Sequence, residues 1–341
     1  MKNLGFLLCT AILLVSCSSS HNKNAKKDVT DYAKTITEGE LKEMLYAYAS
    51  NDFEGRRTGE PGQKKAIEFI KKHYVENEIL SPIADGDYFQ EIPESYFNGK
   101  AKASENVVAF IKGSKKPDEV IVISAHLDHI GVSSNGEINN GADDDGSGTI
   151  AILEIAEAFK MAEKDGNGPK RSIVFLHVTG EEIGLFGSRY YTDVDPIFPL
   201  TNTVADLNID MIGRVDPKHE NGKNYLYLIG SNRLSKELHD VSEAVNKKYV
   251  NLDLDYTYND ENDPNRFYYR SDHYNFAKNN VPVIFYFNGT HADYHRPSDT
   301  PDKINYEFLE TRTQLVFHTA WELANRDERV KVDKSSTTDS N

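Results

Sequence analysis

The run Ile173-Val174-Phe175-Leu176-His177-Val178 is apolar at every position but one. A strand with apolar side chains on both faces needs cover above and below, which places it inside a sheet flanked by helices rather than at a solvent surface. Comparable runs recur at 106–111, 120–124, 204–212, 226–229 and 281–287. Stretches of helical period lie between and around them. The span 38–48 puts Leu41, Met44, Leu45 and Tyr48 on one face, and 63–74 carries Ala66, Ile67, Phe69, Ile70 and Tyr74. The span 149–161 turns Ile152, Leu153, Ile155, Ala156 and Phe159 inward and Glu154, Glu157 and Lys160 outward. Further helices are expected at 234–248 and 306–324. Strands alternating with helices predict the α/β class: one three-layer α/β/α domain around a mostly parallel mixed sheet. No repeat and no linker after residue 30 divides it, so the domain is expected over 31–327, with 328–341 a disordered polar tail.

The start of the chain reads as an address. Lys2 precedes an apolar stretch over 4–15, shorter than the roughly 20 residues a bilayer span needs. It ends in Leu14-Val15-Ser16-Cys17, which resembles the bacterial lipobox. The expectation is a signal peptide over 1–16, lipidation of Cys17, a flexible tether over 17–30, and a cell-envelope lipoprotein facing the periplasm or the outside. Cys9 falls inside the leader and Cys17 is the only other cysteine. The mature domain therefore has neither disulfide nor thiolate catalyst, and a metal site would have to use His and carboxylates. With 39 basic against 54 acidic residues the formal charge is −15, which argues against a nucleic-acid partner, since phosphates demand a basic face.

Chemistry-bearing residues gather where the strands end. His126 and Asp128 follow one, Glu181 and Glu182 another, Asp210 ends a third, and His295 lies beyond a fourth. Asp144 precedes the helix at 149, whose positive N-terminus favours a carboxylate. Ligand crevices of open parallel sheets lie outside the carboxyl ends of their strands, so such residues can converge. Two imidazoles with three carboxylates form an N/O donor set suited to zinc or a similar ion. In an extended segment Glu181 and Glu182 would point in opposite directions and divide two tasks. Other signals fail. Asp143-Asp144-Asp145-Gly146 lacks the remaining acids of a calcium loop, Gly141-x-x-x-x-Gly146 is followed by Ser147 where a phosphate loop has Lys, and no His-Glu-x-x-His occurs. His177 reads as a core histidine. His129 and His291 lie near these positions and could be site or plain loop residues.

Six motifs in order resemble the M28 family of di-zinc aminopeptidases: Ser124-Ala125-His126-Leu127-Asp128, Gly141-Ala142-Asp143-Asp144-Asp145-Gly146-Ser147-Gly148, Thr179-Gly180-Glu181-Glu182-Ile183-Gly184-Leu185, Asn208-Ile209-Asp210-Met211-Ile212-Gly213, Arg270-Ser271-Asp272-His273 and Tyr294-His295-Arg296-Pro297-Ser298-Asp299-Thr300. The resemblance runs from Phe53-Glu54-Gly55-Arg56-Arg57-Thr58-Gly59 to Ile304. It implies a phosphorylase/hydrolase-like zinc exopeptidase fold and two Zn²⁺ per chain. Asp144 would bridge both metals, His126 and Asp210 complete one site, and Glu182 and His295 the other. It implies that Asp128 hydrogen-bonds and orients His126, that Glu181 is the general base, that Tyr294 stabilises the oxyanion, and that Arg270 binds substrate. Two ions about 3.5–4 Å apart would acidify a shared water and polarise the scissile carbonyl of a peptide. A single-zinc glutaminyl-peptide cyclase of the same fold, a non-enzymatic binding protein on that fold and a carboxypeptidase are the alternatives. Glu182 runs directly into Ile183-Gly184-Leu185, with no aromatic insertion of the cyclase kind, and every expected ligand is present. Side-chain preference is not legible.

Overall fold

A computed structural model describes residues 27–334, Asn221 excepted. The leader and Cys17 lie outside the described residues. Eight strands form one sheet in the order β1-β2-β4-β3-β5-β8-β6-β7, where β1 is Phe89–Ile92, β2 Ser104–Ile111, β3 Lys116–His126, β4 Arg171–Val178, β5 Thr203–Ile209, β6 Tyr225–Ile229, β7 Asp253–Asp255 and β8 Val283–Phe287. The central four, β4-β3-β5-β8, are mutually parallel. Antiparallel pairings join β1 to β2, β2 to β4 and β6 to β8. The expected three-layer α/β architecture with a mixed, mostly parallel sheet is what forms.

Period-two alternation decides which layer each strand residue feeds. Ile121, Ile123, Ile173, Phe175, Leu207 and Ile284 face a large core with helices α2 (Glu38–Tyr48), α3 (Pro61–Glu76), α4 (Gly148–Lys164) and α8 (Tyr306–Asn325). Val120, Val122, Val174, Leu176 and Val283 face a smaller one with α5 (Phe186–Asp193) and α7 (His273–Ala277). The remaining helices are α1 (Val29–Ala33) and α6 (Lys236–Val245). Among the described residues no helix is long and apolar enough to cross a membrane.

Three expected segment boundaries need correction. The tail from 328 is packed as far as residue 334: Val330 is in the core, Arg329 donates to the carbonyls of Thr201 and Thr203, and the Asp333 carboxylate accepts the free N–H of Lys236 at the start of α6. Polar composition concealed this because the segment is held largely through hydrogen bonds to and from main-chain groups. Fully buried Arg171 reinforces it, binding the carbonyls of Leu323, Arg326 and Asp327. The tether, expected to reach residue 30, gives way to ordered structure by residue 27, where Lys27 pairs with Asp165 at 2.9 Å and Asp28 caps α1. Strand β5 stops at Ile209 rather than 212, because the N–H groups of Met211, Ile212 and Gly213 turn to Asp145, Ser147 and Asp143.

Glu154, read as a solvent-facing position of α4, is buried. Burial, then repulsion from Glu157 and Glu40, pushes its carboxyl from an ordinary 4.5 up to about 9. The native state thus holds a proton that the unfolded chain releases at neutral pH. That contribution to stability is complete below the unfolded value and is lost as pH rises towards about 9. Glu154→Gln, which keeps the neutral shape, is expected to raise Tm by a few degrees near pH 8 and by much less near pH 5. Thermal melts across that range check it, and a pH-independent difference would contradict it.

Candidate functional site

The site is assembled at the carboxyl ends of β3, β4, β5 and β8. His126 is the last residue of β3, Asp210 follows β5 directly, Glu181 and Glu182 lie just past β4, and His295 lies beyond β8. The Glu-Glu pair is not extended as expected. Gly180 adopts φ +70°, and the N–H groups of Gly184 and Leu185 both bond to the Glu181 carbonyl, so a tight turn separates the two carboxylates. Gly180 permits this because its φ lies where a side chain is disfavoured.

The triple aspartate has three distinct environments. Asp143 accepts from Gly213 N–H and lies 3.1 Å from His291 Nε2. Asp145 accepts from the N–H groups of His126, Gly148 and Met211. Both are fully buried and bound to surrounding elements. Asp144 is the one turned to His126 and His295. Its Oδ1 is 3.2 Å from His126 Nε2, and its Oδ2 is 3.0 Å from His295 Nε2. His126 Nε2 is also 3.6 Å from Asp210 Oδ1, and His295 Nε2 is 3.1 Å from Glu182 Oε2. Two donor groups thus meet at one carboxylate, one oxygen to each. The main chain there is held from outside by Asp299, whose Oδ2 accepts the N–H groups of both Asp143 and Asp144.

Electrostatics match a cation cradle. Burial would lift the Asp144 carboxyl, but the imidazoles of His126, His129 and His295 hold it well below the usual carboxylate range. Burial would lower His126, yet Asp144 and Asp210 raise it well above its ordinary value. His295 is likewise lifted to about 10, burial being outweighed by Asp144 and Glu182. Asp144 is 3% exposed, and its Oδ2 has imidazole nitrogens near it, His295 Nε2 at 3.0 Å and His129 Nδ1 at 3.8 Å. Burying a carboxylate is costly unless positive charge or donors meet it, and this one sits among oxygen and imidazole donors of the type zinc prefers. The residues present fit a pair of divalent cations sharing Asp144. Two compact donor groups, His126 with Asp144 and Asp210, and His129 with Asp144 and Glu182, could each hold an ion.

Around this cluster, Glu181 is half-buried and its main-chain N–H donates to Asp128 Oδ1 at 3.2 Å. Burial, opposed by His126 and reinforced by Glu182, Asp210 and Asp272, pushes its carboxyl well above the usual range. Asp128 departs from expectation. His126 Nδ1 bonds to the main-chain carbonyl of Asp128 at 3.0 Å, while the nearer carboxylate oxygen is 3.9 Å away. The carboxylate is drawn instead to Thr58 Oγ1 at 2.6 Å and to Glu181 N–H, so it orients the turn that carries Glu181. The Tyr294 ring stacks on His295 with centroids 3.9 Å apart, and burial beside four carboxylates keeps its hydroxyl protonated. Arg270 is exposed, with its guanidinium 4.9 Å from the Phe267 ring, and the structure does not bring it into the hydrogen-bonded cluster.

Several supporting residues had no assigned role in the sequence reading. Arg56, fully buried and lying over the Tyr48 ring, donates to the carbonyls of Leu127, Asn140 and Gly141, joining the two loops that present His126 and Asp144. Asp272 bonds to Ser188 Oγ, and burial pushes it up to about 7. His129 is buried against Glu182. Its adjacency to His126 and Asp128 in sequence was the available signal.

A mixed α/β sheet carrying His and carboxylate donors at the ends of its parallel strands is the framework of a metal-dependent hydrolase. Comparison with known proteins makes this specific. The sequence model described as Peptidase family M28 matches residues 106–320, and the chain belongs to that family. It is 26% identical over 302 residues to the leupeptin-inactivating enzyme 1 of Streptomyces exfoliatus, covering 82% of this chain and 60% of that protein. It is 26% identical over 261 residues to aminopeptidase YwaD of Bacillus subtilis, covering 73% and 52% respectively. The chain thus spans little more than half the length of these curated relatives. The structure of the Legionella pneumophila LapA aminopeptidase superimposes with a TM-score of 0.69 at 22% identity, covering 96% of this chain and 81% of that one. That likeness is one of fold.

Proposed function

We propose that this protein is an aminopeptidase that removes N-terminal residues from peptides with two zinc ions and Glu181 as general base. The observation that carries the reading is the division of the Asp144 carboxylate, with Oδ1 towards His126 and Oδ2 towards His295. His126, Asp144 and Asp210 would hold one ion, and Asp144, Glu182 and His295 the other. Bound there, the ions would supply Lewis acidity towards a carbonyl and lower the pKa of water. Glu181 takes a proton from the attacking water and returns it to the leaving amine. Its turn is held by Asp128, which keeps the carboxyl beside the cluster without joining it. Tyr294 O–H donates to the oxygen that gains charge as the carbonyl becomes tetrahedral. The name of the Bacillus subtilis relative, an aminopeptidase, supports free-amine peptides as substrates. The Leu14-Val15-Ser16-Cys17 motif supports a lipid-anchored envelope location.

The test is hydrolysis of aminoacyl anilides and dipeptides by zinc-loaded protein, with and without a chelator. At least one free-amine substrate is expected to be cut, the N-acetylated counterpart spared, and the rate abolished by chelation and restored by zinc. Cleavage of none, or cleavage indifferent to chelation, overturns the proposal. One ion per chain with cyclisation of N-terminal glutamine would replace it with the cyclase reading.

A further inference from the structure

His129 is 1% exposed and forms a compact group with Asp144 and Glu182, yet it is not one of the five residues proposed as ligands. Its Nδ1 is 2.6 Å from Glu182 Oε1 and 3.8 Å from Asp144 Oδ2. The other oxygen of Glu182, Oε2, is the one 3.1 Å from His295. The two carboxylate oxygens of Glu182 therefore face different imidazoles.

Distances separate a ligand from a hydrogen-bond donor. Two donor atoms each about 2.0–2.1 Å from one tetrahedral zinc lie roughly 3.3 Å apart. His295 Nε2 to Asp144 Oδ2, at 3.0 Å, and to Glu182 Oε2, at 3.1 Å, are near that edge length. The 2.6 Å contact of His129 with Glu182 is shorter and is the length of a charge-assisted hydrogen bond. An ionised carboxylate, the form that would hold a cation, has no hydrogen to give, so in this contact Glu182 accepts and His129 Nδ1 donates.

A second, independent feature shows that the chain accommodates this ring. Gly141 has φ +55°, and a Cβ there would fall 2.6 Å from both Cγ and Cδ2 of His129 and 2.2 Å from the Asp144 carbonyl. The imidazole thus packs against a position that only glycine can fill. Its main-chain N–H is bound to the Arg56 carbonyl, and Arg56 in turn holds the Gly141 carbonyl. Ring and partner loop are fixed together.

We infer that His129 is a positioning residue of the second cation site: its Nδ1–H occupies Glu182 Oε1, so that Glu182 offers only Oε2 to the ion shared with Asp144 and His295. This rests on the two-ion reading of the cluster. Hydrogen bonds to ligating carboxylates orient them, and losing such a partner typically lowers metal affinity 10–100-fold.

The experiment compares wild type with His129→Phe, which keeps a flat ring against Gly141 but has no donor, and His129→Asn, whose amide can place an N–H near Nδ1. Zinc content is measured after equilibration with a graded chelator, and visible spectra are recorded during cobalt titration. Wild type is expected to retain two ions. His129→Phe should lose one of them, with about 10–100-fold weaker affinity at that site and an unchanged first step of the titration. His129→Asn should recover most of the loss. If His129→Phe does not fold, His129→Ala takes its place, with apo-protein circular dichroism as the check. Unchanged two-ion affinity in the donorless variant overturns the inference, as does simultaneous loss of both ions. Failure of Asn to rescue overturns the hydrogen-bond role in favour of direct ligation. Wild-type protein that binds fewer than two ions overturns the two-ion reading and this inference with it.

Discussion

Glu181→Gln is expected to leave zinc content unchanged while lowering kcat by roughly two to four orders of magnitude, the range for loss of a positioned general base. The amide keeps the volume and the turn. The main-chain N–H that binds Asp128 is untouched, so positioning persists and only proton acceptance is lost. KM should change little, because the side chain is not among the groups that meet Asp144. The corresponding change at the neighbour, Glu182→Gln, should instead weaken binding of an ion, since Glu182 Oε2 faces His295. Metal analysis and steady-state kinetics on the two variants separate the roles. Metal loss from Glu181→Gln with full rate from Glu182→Gln would reverse the assignment of the pair.

Removal of Asp144 has the broadest expected consequence. It is the one carboxylate with an oxygen turned to each donor group, so Asp144→Ala strips a ligand from both at once. Ion content should fall at both sites and activity should drop to background. Asp210→Ala, which touches only the His126 group, should spare the other ion. The protein should stay folded, because Asp143 and Asp145 make the structural bonds of that loop, to Gly213, His126, Gly148 and Met211. Retention of either ion at wild-type affinity in Asp144→Ala would remove the shared-carboxylate arrangement.

Much of the fold was legible because burial leaves a periodic trace. Runs apolar on both faces marked the four parallel strands at the centre, and strand β4 begins two residues before the apolar run that announced it. Short elements at the sheet margins left no such trace. Strands β1 and β7, with four and three residues, have too few positions for a period to show. The packed tail over 328–334 was missed for a related reason. It is held by hydrogen bonds that involve main-chain groups, which composition does not report. Glu154 shows the converse error, since helical period placed it outside while its neighbours in three dimensions cover it.

In the site, the sequence by itself determined the donor types and their arrival at strand ends, because a parallel sheet brings successive carboxyl ends to one edge. The resemblance singled out Asp144 among three consecutive aspartates, but only the tertiary structure shows why it is the one turned to His126 and His295. The choice depends on which neighbouring N–H groups claim the other two, and those lie at the end of β3, in β5's exit and in α4's first turn, 3 to 70 residues away. The same holds for Asp128, whose carbonyl rather than carboxylate meets His126. It holds also for His129, whose place beside Glu182 depends on a glycine twelve residues on and on the turn after β4. Residue identity sets what a side chain can donate or accept, but which partner it meets is set by chain segments that come together only on folding.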